Sequence, residues 1–315
     1  MPLTREVFAQ RAYDGTLRPQ RNALREVLDG CDSVWKTPPV LGIFVDIPAR
    51  QLREDDLNAF ARAGFTFLIA DGEHSLGEAR IGREHTATII RLGMCPVQRL
   101  HREARSEHGD SLTLGNRGTM MPYASSVEEV QSFIECLHYP DIKPSSADAV
   151  AQPATCNSRG AFPLKDGAKN LLFTPQELRD IERDCQGWVQ FETAELICDR
   201  AVRDEVLGLM QAQPRNSLVG FVGPFDAIMR SGEPAKIMAD VDALGRDAAD
   251  RGIHMGRVCG SGTCTDPKDI EDAMVQAIES GFRLISVHYL ASEMAYVGAK
   301  EAAAPFWAAC ARAGF

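Results

Sequence analysis

The sequence contains no long apolar stretch and only seven lysines among its 315 residues. A membrane-spanning helix needs about 20 consecutive apolar residues, and no window of this chain approaches that length. The first residues, MPLTREVFAQRAYDG, also lack the apolar core of a signal peptide. We therefore expect neither a spanning helix nor a secretory leader.

The nine cysteines form no recognisable metal or redox motif. Their number is odd, no C-x-x-C pair occurs, and no Cys/His cluster has the spacing of a zinc site. Cys95 and Cys198 lie inside apolar runs, which is typical of small core residues. This usage fits a reducing compartment, so we expect a cytoplasmic protein.

The net charge of −10 at pH 7 limits the classes of partner. An acidic chain repels phosphate backbones and anionic membrane surfaces. We therefore expect neither a nucleic acid nor a membrane as a partner. The charge also keeps the protein soluble.

Short apolar runs alternate with longer amphipathic segments. Continuous apolar runs predict strands buried on both faces, and their alternation with helices predicts a parallel sheet. About eight such units favour a (β/α)8 TIM barrel domain over residues 39–315. A doubly wound open sheet is the alternative, which the lack of a G-x-G-x-x-G motif after the first strand disfavours. The predicted strands are 40–46, 65–71, 94–99, 118–123, 187–192, 218–223, 253–258 and 283–289, and the predicted helices are 53–63, 77–92, 126–137, 176–185, 195–212, 236–251, 267–280 and 292–313.

Two segments fall outside this alternation. Residues 1–38 predict an N-terminal helical extension that precedes the barrel domain. Residues 139–171, rich in Pro, Ser, Ala and Gly, predict a long loop after strand 4. Loops of this length are usually either functional or disordered. We expect this one to emerge on the catalytic face of the barrel.

Acidic residues follow two neighbouring strands at their carboxyl ends, where barrel enzymes place their catalytic residues. Glu192 ends strand 5, and Asp226 follows strand 6. Two carboxylates there can hold one hard divalent cation and leave positions open for a substrate. The Gly223-Pro224 turn allows backbone N–H groups to point inward. The alternative is that each acid pairs with an arginine or caps a helix.

Strands 2 and 3 end in further ionisable residues. Arg99 ends an otherwise apolar strand, and a bidentate contact with an oxyanion would be its best use. The alternative is a buried salt bridge with Asp46 or Glu73. His74 follows Asp71 by three residues. If Asp71 accepts from one ring nitrogen, the other nitrogen can act as a base, whereas Glu73 is interpreted as a structural partner.

The scarcity of lysine excludes one mechanism. None of the seven lysines lies in a predicted strand, and a Schiff-base barrel aldolase needs a desolvated lysine there. The CGSGTC stretch, 259–264, could be a phosphate loop, but we prefer a glycine turn with Asp266 as N-cap and Pro267 at the first helical position. Three histidines in helical stretches are interpreted as surface residues: His85, His108 and His138.

From Val40 to the C-terminus the sequence resembles the HpcH/HpaI aldolase family, the metal-dependent pyruvate aldolases related to citrate lyase and macrophomate synthase. The resemblance is carried by the order and spacing of AGFTFLIADGEH, PVQR, MMPYASSVEEV, VQFETAEL and GFVGPFD. It implies that Glu192 and Asp226 hold a divalent metal ion (Mg2+, Mn2+ or Co2+). The N–H groups of Phe225 and Asp226 would then bind the carboxylate of a 2-oxo acid.

The resemblance also implies a reaction. Arg99 would hold the keto or enolate oxygen, and His74, steered by Asp71, would move protons. The activity would be that of a class II aldolase, a carbon–carbon lyase that cleaves or forms a 4-hydroxy-2-oxo acid through a pyruvate enolate. Its partners would be pyruvate or oxaloacetate and an aldehyde or other electrophile, in a homo-oligomer (a hexamer or trimer of dimers).

Two alternatives stay open. One is a synthase that decarboxylates oxaloacetate and forms a carbon–carbon bond, as macrophomate synthase does. The other is a non-catalytic barrel that binds a 2-oxo acid. The sequence departs from the family pattern by lacking an acidic residue near Thr113 and by an insertion ahead of Ser158, and both departures bear on the acceptor.

Overall fold

Eight parallel strands form a closed barrel in which each strand pairs with its neighbours in chain order and β8 pairs with β1. The computed structural model describes residues 22–45, 52–73, 83–101, 105–113, 115–137, 183–259, 266–289 and 298–315. The barrel confirms the predicted (β/α)8 fold, and every strand lies within two residues of its predicted bounds. The strands are β1 (Val40–Val45), β2 (Phe65–Asp71), β3 (Cys95–Arg99), β4 (Gly118–Met121), β5 (Gln186–Phe191), β6 (Leu218–Val222), β7 (Met255–Val258) and β8 (Leu284–Tyr289).

Helices surround the barrel, and none of those described is long and apolar enough to cross a membrane. Most match the predicted helices, although the one predicted over 195–212 is divided at Asp199, whose carboxylate caps the second part. The described helices are α1 (Ala23–Asp29), α2 (Glu54–Ala63), α3 (Arg83–Arg91), α4 (Arg105–Thr113), α5 (Val127–Cys136), α6 (Ala194–Cys198), α7 (Arg200–Gln211), α8 (Phe225–Ser231), α9 (Pro234–Asp250), α10 (Pro267–Glu279) and α11 (Ala299–Arg312).

Two helices have no predicted bounds, although His108 on the first of them is predicted to lie in a helical stretch. The sequence of α4, RSEHGDSLT, has no amphipathic periodicity, and α8 is only seven residues long, so the pattern that identifies helices is missing from both. The predicted cap of α10 is confirmed, because Asp266 accepts a hydrogen bond from the backbone of Lys268 and Pro267 opens the helix. Most of the helix predicted over 176–185 lies outside the described residues.

Aromatic side chains fill the barrel interior. The rings of Phe67 and Trp188 lie 5.5 Å apart, and those of Trp188 and Phe221 lie 5.9 Å apart. Gly42 makes room for them, since a Cβ at that position would lie 1.9 Å from the Phe67 ring. Helix α1 contributes Leu24 and other apolar residues to this interior cluster. The described part of the N-terminal extension therefore packs against the inner core.

The described residues that flank the gap after α5 lie at the end of the barrel opposite the strand carboxyl ends. Leu137 and Arg183, the described residues on either side of it, both line a cavity of about 230 Å³ beside the first residues of β5 and β6. The predicted loop over 139–171 itself lies outside the described residues, so its emergence on the catalytic face stays a prediction.

Two histidines are buried in neutral form. His108 on α4 is 2% exposed, bonds Thr119 at 2.7 Å and packs edge-on against Phe133, so its prediction as a surface residue is wrong. His254, which precedes β7, is fully buried between Asn216 at 2.7 Å and Thr37 at 3.0 Å. Burial lowers the pKa of each imidazole to about 3.

These depressed pKa values predict acid sensitivity. Because the unfolded chain binds a proton near pH 6.5 and the folded His254 does not, the stability that this residue contributes is present above pH 6.5 and is lost as the pH falls toward 3. Between pH 7 and pH 5 we expect the wild type to lose about 1–2 kcal/mol more than His254→Gln. Urea unfolding at the two pH values measures this, and equal losses would contradict it.

Candidate active site

A buried arginine and an aspartate lie side by side at the carboxyl ends of β2 and β3. Asp71 and Arg99 are register partners in the sheet. The Nε and Nη2 atoms of Arg99 donate to the two carboxylate oxygens of Asp71 at 2.9 and 2.5 Å. Both residues are almost fully buried. This bidentate pair fixes the plane of the guanidinium.

The third nitrogen of Arg99 faces other polar groups of the site. Nη1 lies 3.0 Å from Glu73, 3.4 Å from the amide oxygen of Gln190 and 4.0 Å from Glu192. The guanidinium also stacks over the Phe44 ring at 4.9 Å. Burial opposes the charge of Arg99, but Asp71, Glu73 and Glu192 outweigh it and raise the pKa of the guanidinium. Three carboxylates therefore surround one permanent cation.

Glu192, which follows β5, is a buried carboxylate with two donors. Its Oε1 accepts from the backbone N–H of Tyr123 at 2.6 Å, and its Oε2 accepts from the Gln190 amide at 2.7 Å. Burial raises the pKa of Glu192 to about 8, the nearby Glu73 and Asp226 add to the rise, and Arg99 and the Tyr123 N–H reduce it. The site therefore holds more negative charge than Arg99 can balance.

Asp226 lies in the first turn of α8, directly after β6. Its Oδ2 accepts a short hydrogen bond from the phenol of Tyr123. This bond raises the pKa of the phenol, which is therefore a donor at neutral pH. Tyr123 thus contacts both acids that the sequence predicted as a cation-binding pair.

The turn between β6 and α8 lies beside Glu192. The Gly223 N–H donates to the carbonyl of Phe191 at 3.1 Å, and a Cβ at Gly223 would lie 3.6 Å from a Glu192 oxygen. Pro224 is the N-cap of α8, and Phe225 is 63% exposed. The Gly223 N–H is therefore used by the sheet, whereas N–H groups in the first turn of a helix have no intrahelical acceptor.

The structure brings together most of the predicted site. Arg99 forms the salt bridge with Glu73 that was the alternative to an oxyanion contact, and Glu73 is confirmed as a structural partner. Asp71 holds Arg99, whereas its predicted contact with His74 lies outside the described residues, as does Asp46. Tyr123 was missed. Its place just after β4 was the available signal, but its reach to both acids depends on a backbone conformation that the sequence does not reveal.

Glu192 and Asp226 fit a divalent cation. Each carboxylate oxygen has two lone pairs, so the observed hydrogen bonds leave acceptor capacity on both. A cation would also offset the burial cost and the repulsion by Glu73 and Asp226 that together raise the pKa of Glu192. Among the described residues, however, no group of three or more His, Cys, Asp and Glu side chains is arranged to hold a metal. These two side chains would therefore supply only part of a coordination shell.

Solved structures with similar folds include enzymes of one family. An HpcH/HpaI aldolase from Desulfitobacterium hafniense DCB-2 has a TM-score of 0.62 at 18% identity over 82% of this chain and 90% of that one. An HpcH/HpaI aldolase/citrate lyase family protein from Burkholderia cenocepacia J2315 has a TM-score of 0.57 at 21% identity, covering 85% and 92%. The chain shares the fold of these aldolases.

Macrophomate synthase is similar at the same level, with a TM-score of 0.52 and 16% identity over 85% of this chain and 82% of that one. No protein-family model matches the sequence, and no curated protein does. At these identities the likeness to HpcH/HpaI aldolases establishes the fold. The reaction has to be inferred from the site.

The contacts of Arg99 predict that its substitution strongly destabilises the fold. Arg99→Met would leave the Asp71 and Glu73 carboxylates buried without their cation, so we expect a loss of about 3–5 kcal/mol in the free energy of unfolding at pH 7. Arg91→Met is the matched control, because Arg91 and its partner Glu54 are both mostly exposed and such pairs contribute at most about 1 kcal/mol. Chemical denaturation measures both, and similar losses in the two variants would contradict the assignment.

Proposed function

We propose that this protein is a metal-dependent class II aldolase of the HpcH/HpaI family that cleaves or forms a 4-hydroxy-2-oxo acid through a pyruvate enolate. The observation that carries the proposal is the excess of buried carboxylates around Arg99 at the carboxyl ends of β2, β3 and β5. Barrel enzymes place their catalytic residues at the carboxyl ends of the strands. The order of the sequence motifs and the shared fold support the same conclusion.

Glu192 and Asp226 would hold the cation, for which Mg2+, Mn2+ and Co2+ are the expected ions. When bound, such an ion supplies Lewis-acid stabilisation of the negative charge that develops on a 2-oxo acid. The two acids supply anionic oxygen ligands, which hard divalent cations prefer. The hydrogen bonds from the Tyr123 N–H and the Gln190 amide restrict the movement of the Glu192 carboxylate.

Arg99 would stabilise the enolate oxygen. Because Asp71 holds its guanidinium by two hydrogen bonds, the charge is already oriented and needs no rearrangement during the reaction. Its Nη1 side faces Glu73, Gln190 and Glu192, which supports a role for the guanidinium beside a cation held by Glu192. The substrate carboxylate would bind the N–H groups of Phe225 and Asp226.

His74 would take the proton from the aldol hydroxyl or return it. It lies three residues beyond Asp71 in the sequence, which supports a His–Asp pair in which one ring nitrogen is held and the other acts as the base. Since Asp71 also holds Arg99, the same carboxylate would then orient the base and the oxyanion-stabilising group. Loss of Asp71 would disturb both functions together.

A decarboxylating synthase is the second possibility for the same site. Its support is the likeness to macrophomate synthase and the long segment between α5 and β5. Such an enzyme would form the enolate from oxaloacetate and capture it with another electrophile. We also propose a cytoplasmic homo-oligomer, for which the exposed apolar side chains of Phe225 and Met229 on α8 offer a contact surface.

Exchange of the pyruvate C3 protons with deuterium in the presence of Mg2+ or Mn2+ tests enolate formation directly. We expect exchange in the wild type. In Glu192→Gln and Asp226→Asn the exchange rate should fall by at least about 100-fold, because a neutral amide holds the cation less well and the cation then no longer stabilises the enolate charge. Glu195→Gln is the matched control. It makes the same chemical change as Glu192→Gln, but at an exposed position three residues away.

Two outcomes of this experiment would contradict the proposal. Absence of exchange in the wild type with either metal would favour a barrel that only binds a 2-oxo acid. Full exchange in both acid variants would show that these residues do not hold the cation. Release of CO2 from oxaloacetate without cleavage of hydroxy-oxo acids would favour the decarboxylating synthase over the aldolase.

The raised pKa of Glu192 predicts that metal binding depends on pH. The cation requires the ionised carboxylate, and Glu192 carries its proton below about pH 8. The Mg2+ affinity should therefore rise about 10-fold per pH unit up to pH 8 and level off above it. Calorimetric titration with Mg2+ between pH 6.5 and pH 9 measures the slope, and a flat profile would exclude proton competition at this residue.

A further inference from the structure

Tyr123 lies in the connection between β4 and α5 in an unusual backbone conformation. Its φ of 49° is in the left-handed region, which non-glycine residues with large side chains rarely adopt. Such a conformation is strained and persists only where surrounding contacts fix it. The contacts that fix Tyr123 therefore matter for its role.

Tyr123 contacts Glu192 through its backbone and Asp226 through its side chain. Its backbone N–H donates to Glu192 at 2.6 Å, and its phenol donates to Asp226. Among the described residues, Tyr123 is the only one whose side chain hydrogen-bonds to the Asp226 carboxylate. Glu192 has a second donor in the Gln190 amide. The orientation of the Asp226 carboxylate thus depends on the phenol more than the orientation of Glu192 depends on the backbone N–H.

We propose that Tyr123 is a positioning residue that sets the placement of Asp226 relative to Glu192 and thereby the affinity of the site for its cation. This inference rests on the proposed function. The two acids come from different connections, one after β5 and the other after β6, and a single residue after β4 joins them. The left-handed backbone directs the N–H to Glu192 while the side chain extends to Asp226.

The phenol can hold Asp226 without blocking it. It donates to one carboxylate oxygen, and lone pairs on both oxygens remain for a cation. Hydrogen bonds of this kind orient the ligands of metal sites, and their loss typically lowers metal affinity about 10–100-fold. The effect expected for Tyr123 is therefore on metal affinity first and on turnover only through it.

Tyr123→Phe tests this most sharply, because it removes the phenol oxygen and keeps the ring and the backbone N–H. By calorimetric titration with Mn2+ we expect its affinity to be at least about 10-fold lower than that of the wild type. Ser125→Ala is the matched control. It removes a hydroxyl from the same connection, and that hydroxyl bonds Glu129 on α5, so its Mn2+ affinity should stay within 2-fold of the wild type.

Tyr123→Gly separates the side chain from the backbone. Glycine accepts the left-handed conformation without strain and retains the N–H, so we expect this variant to fold and to lose as much Mn2+ affinity as Tyr123→Phe. At saturating Mn2+ the deuterium exchange rate of Tyr123→Phe should recover to within about 3-fold of the wild type, as expected of a residue that acts through metal affinity.

The outcomes distinguish this inference from the proposed function. Wild-type Mn2+ affinity in either Tyr123 variant would overturn the positioning role while leaving the aldolase proposal intact. Failure of exchange to recover at saturating Mn2+ would also overturn it, because Tyr123 would then act on the chemical step. A wild-type protein that binds no Mn2+ would overturn the proposed function itself.

Discussion

The site depends on one buried positive charge that is surrounded by more negative charge than it can balance. Arg99 is held by Asp71 through two hydrogen bonds and lies within 4.0 Å of Glu73 and Glu192. Burying charge is costly unless it is paired, so the guanidinium and its carboxylates stabilise one another. Burial, together with the nearby Glu73 and Asp226, still raises the pKa of Glu192 to about 8. A divalent cation would favour the ionised form of Glu192 and leave a charged, oriented guanidinium beside the substrate.

The barrel places these groups by joining neighbouring strands in a closed order. Asp71 and Arg99 meet because β2 and β3 pair in register, and Glu192 follows β5, next to the turn that leads from β6 into α8. Tyr123 crosses from the end of β4 to both acids. The interior below this layer is filled by Phe67, Trp188 and Phe221. The site therefore lies on a packed core, which limits the freedom of its side chains.

The sequence predicts the barrel well because its strands are continuous apolar runs separated by amphipathic helices. It also predicts that Glu192 and Arg99 lie at strand ends, since a charged residue next to a buried apolar run stands out in the sequence. It gives no bounds for α4, whose residues lack helical periodicity, and it does not predict the burial of His108 on that helix. The role of Tyr123 depends on a positive φ that tertiary contacts impose. These are the features for which packing overrides local pattern.

The position of the cation is the most direct test of this interpretation. Crystals soaked with Mn2+ and oxalate, a stable analogue of the pyruvate enolate, would locate the ion by its anomalous scattering. We expect one strong peak in contact with the carboxylates of Glu192 and Asp226, with oxalate between the ion and Arg99. A peak at another place, or bound oxalate without an ion at these two acids, would contradict it.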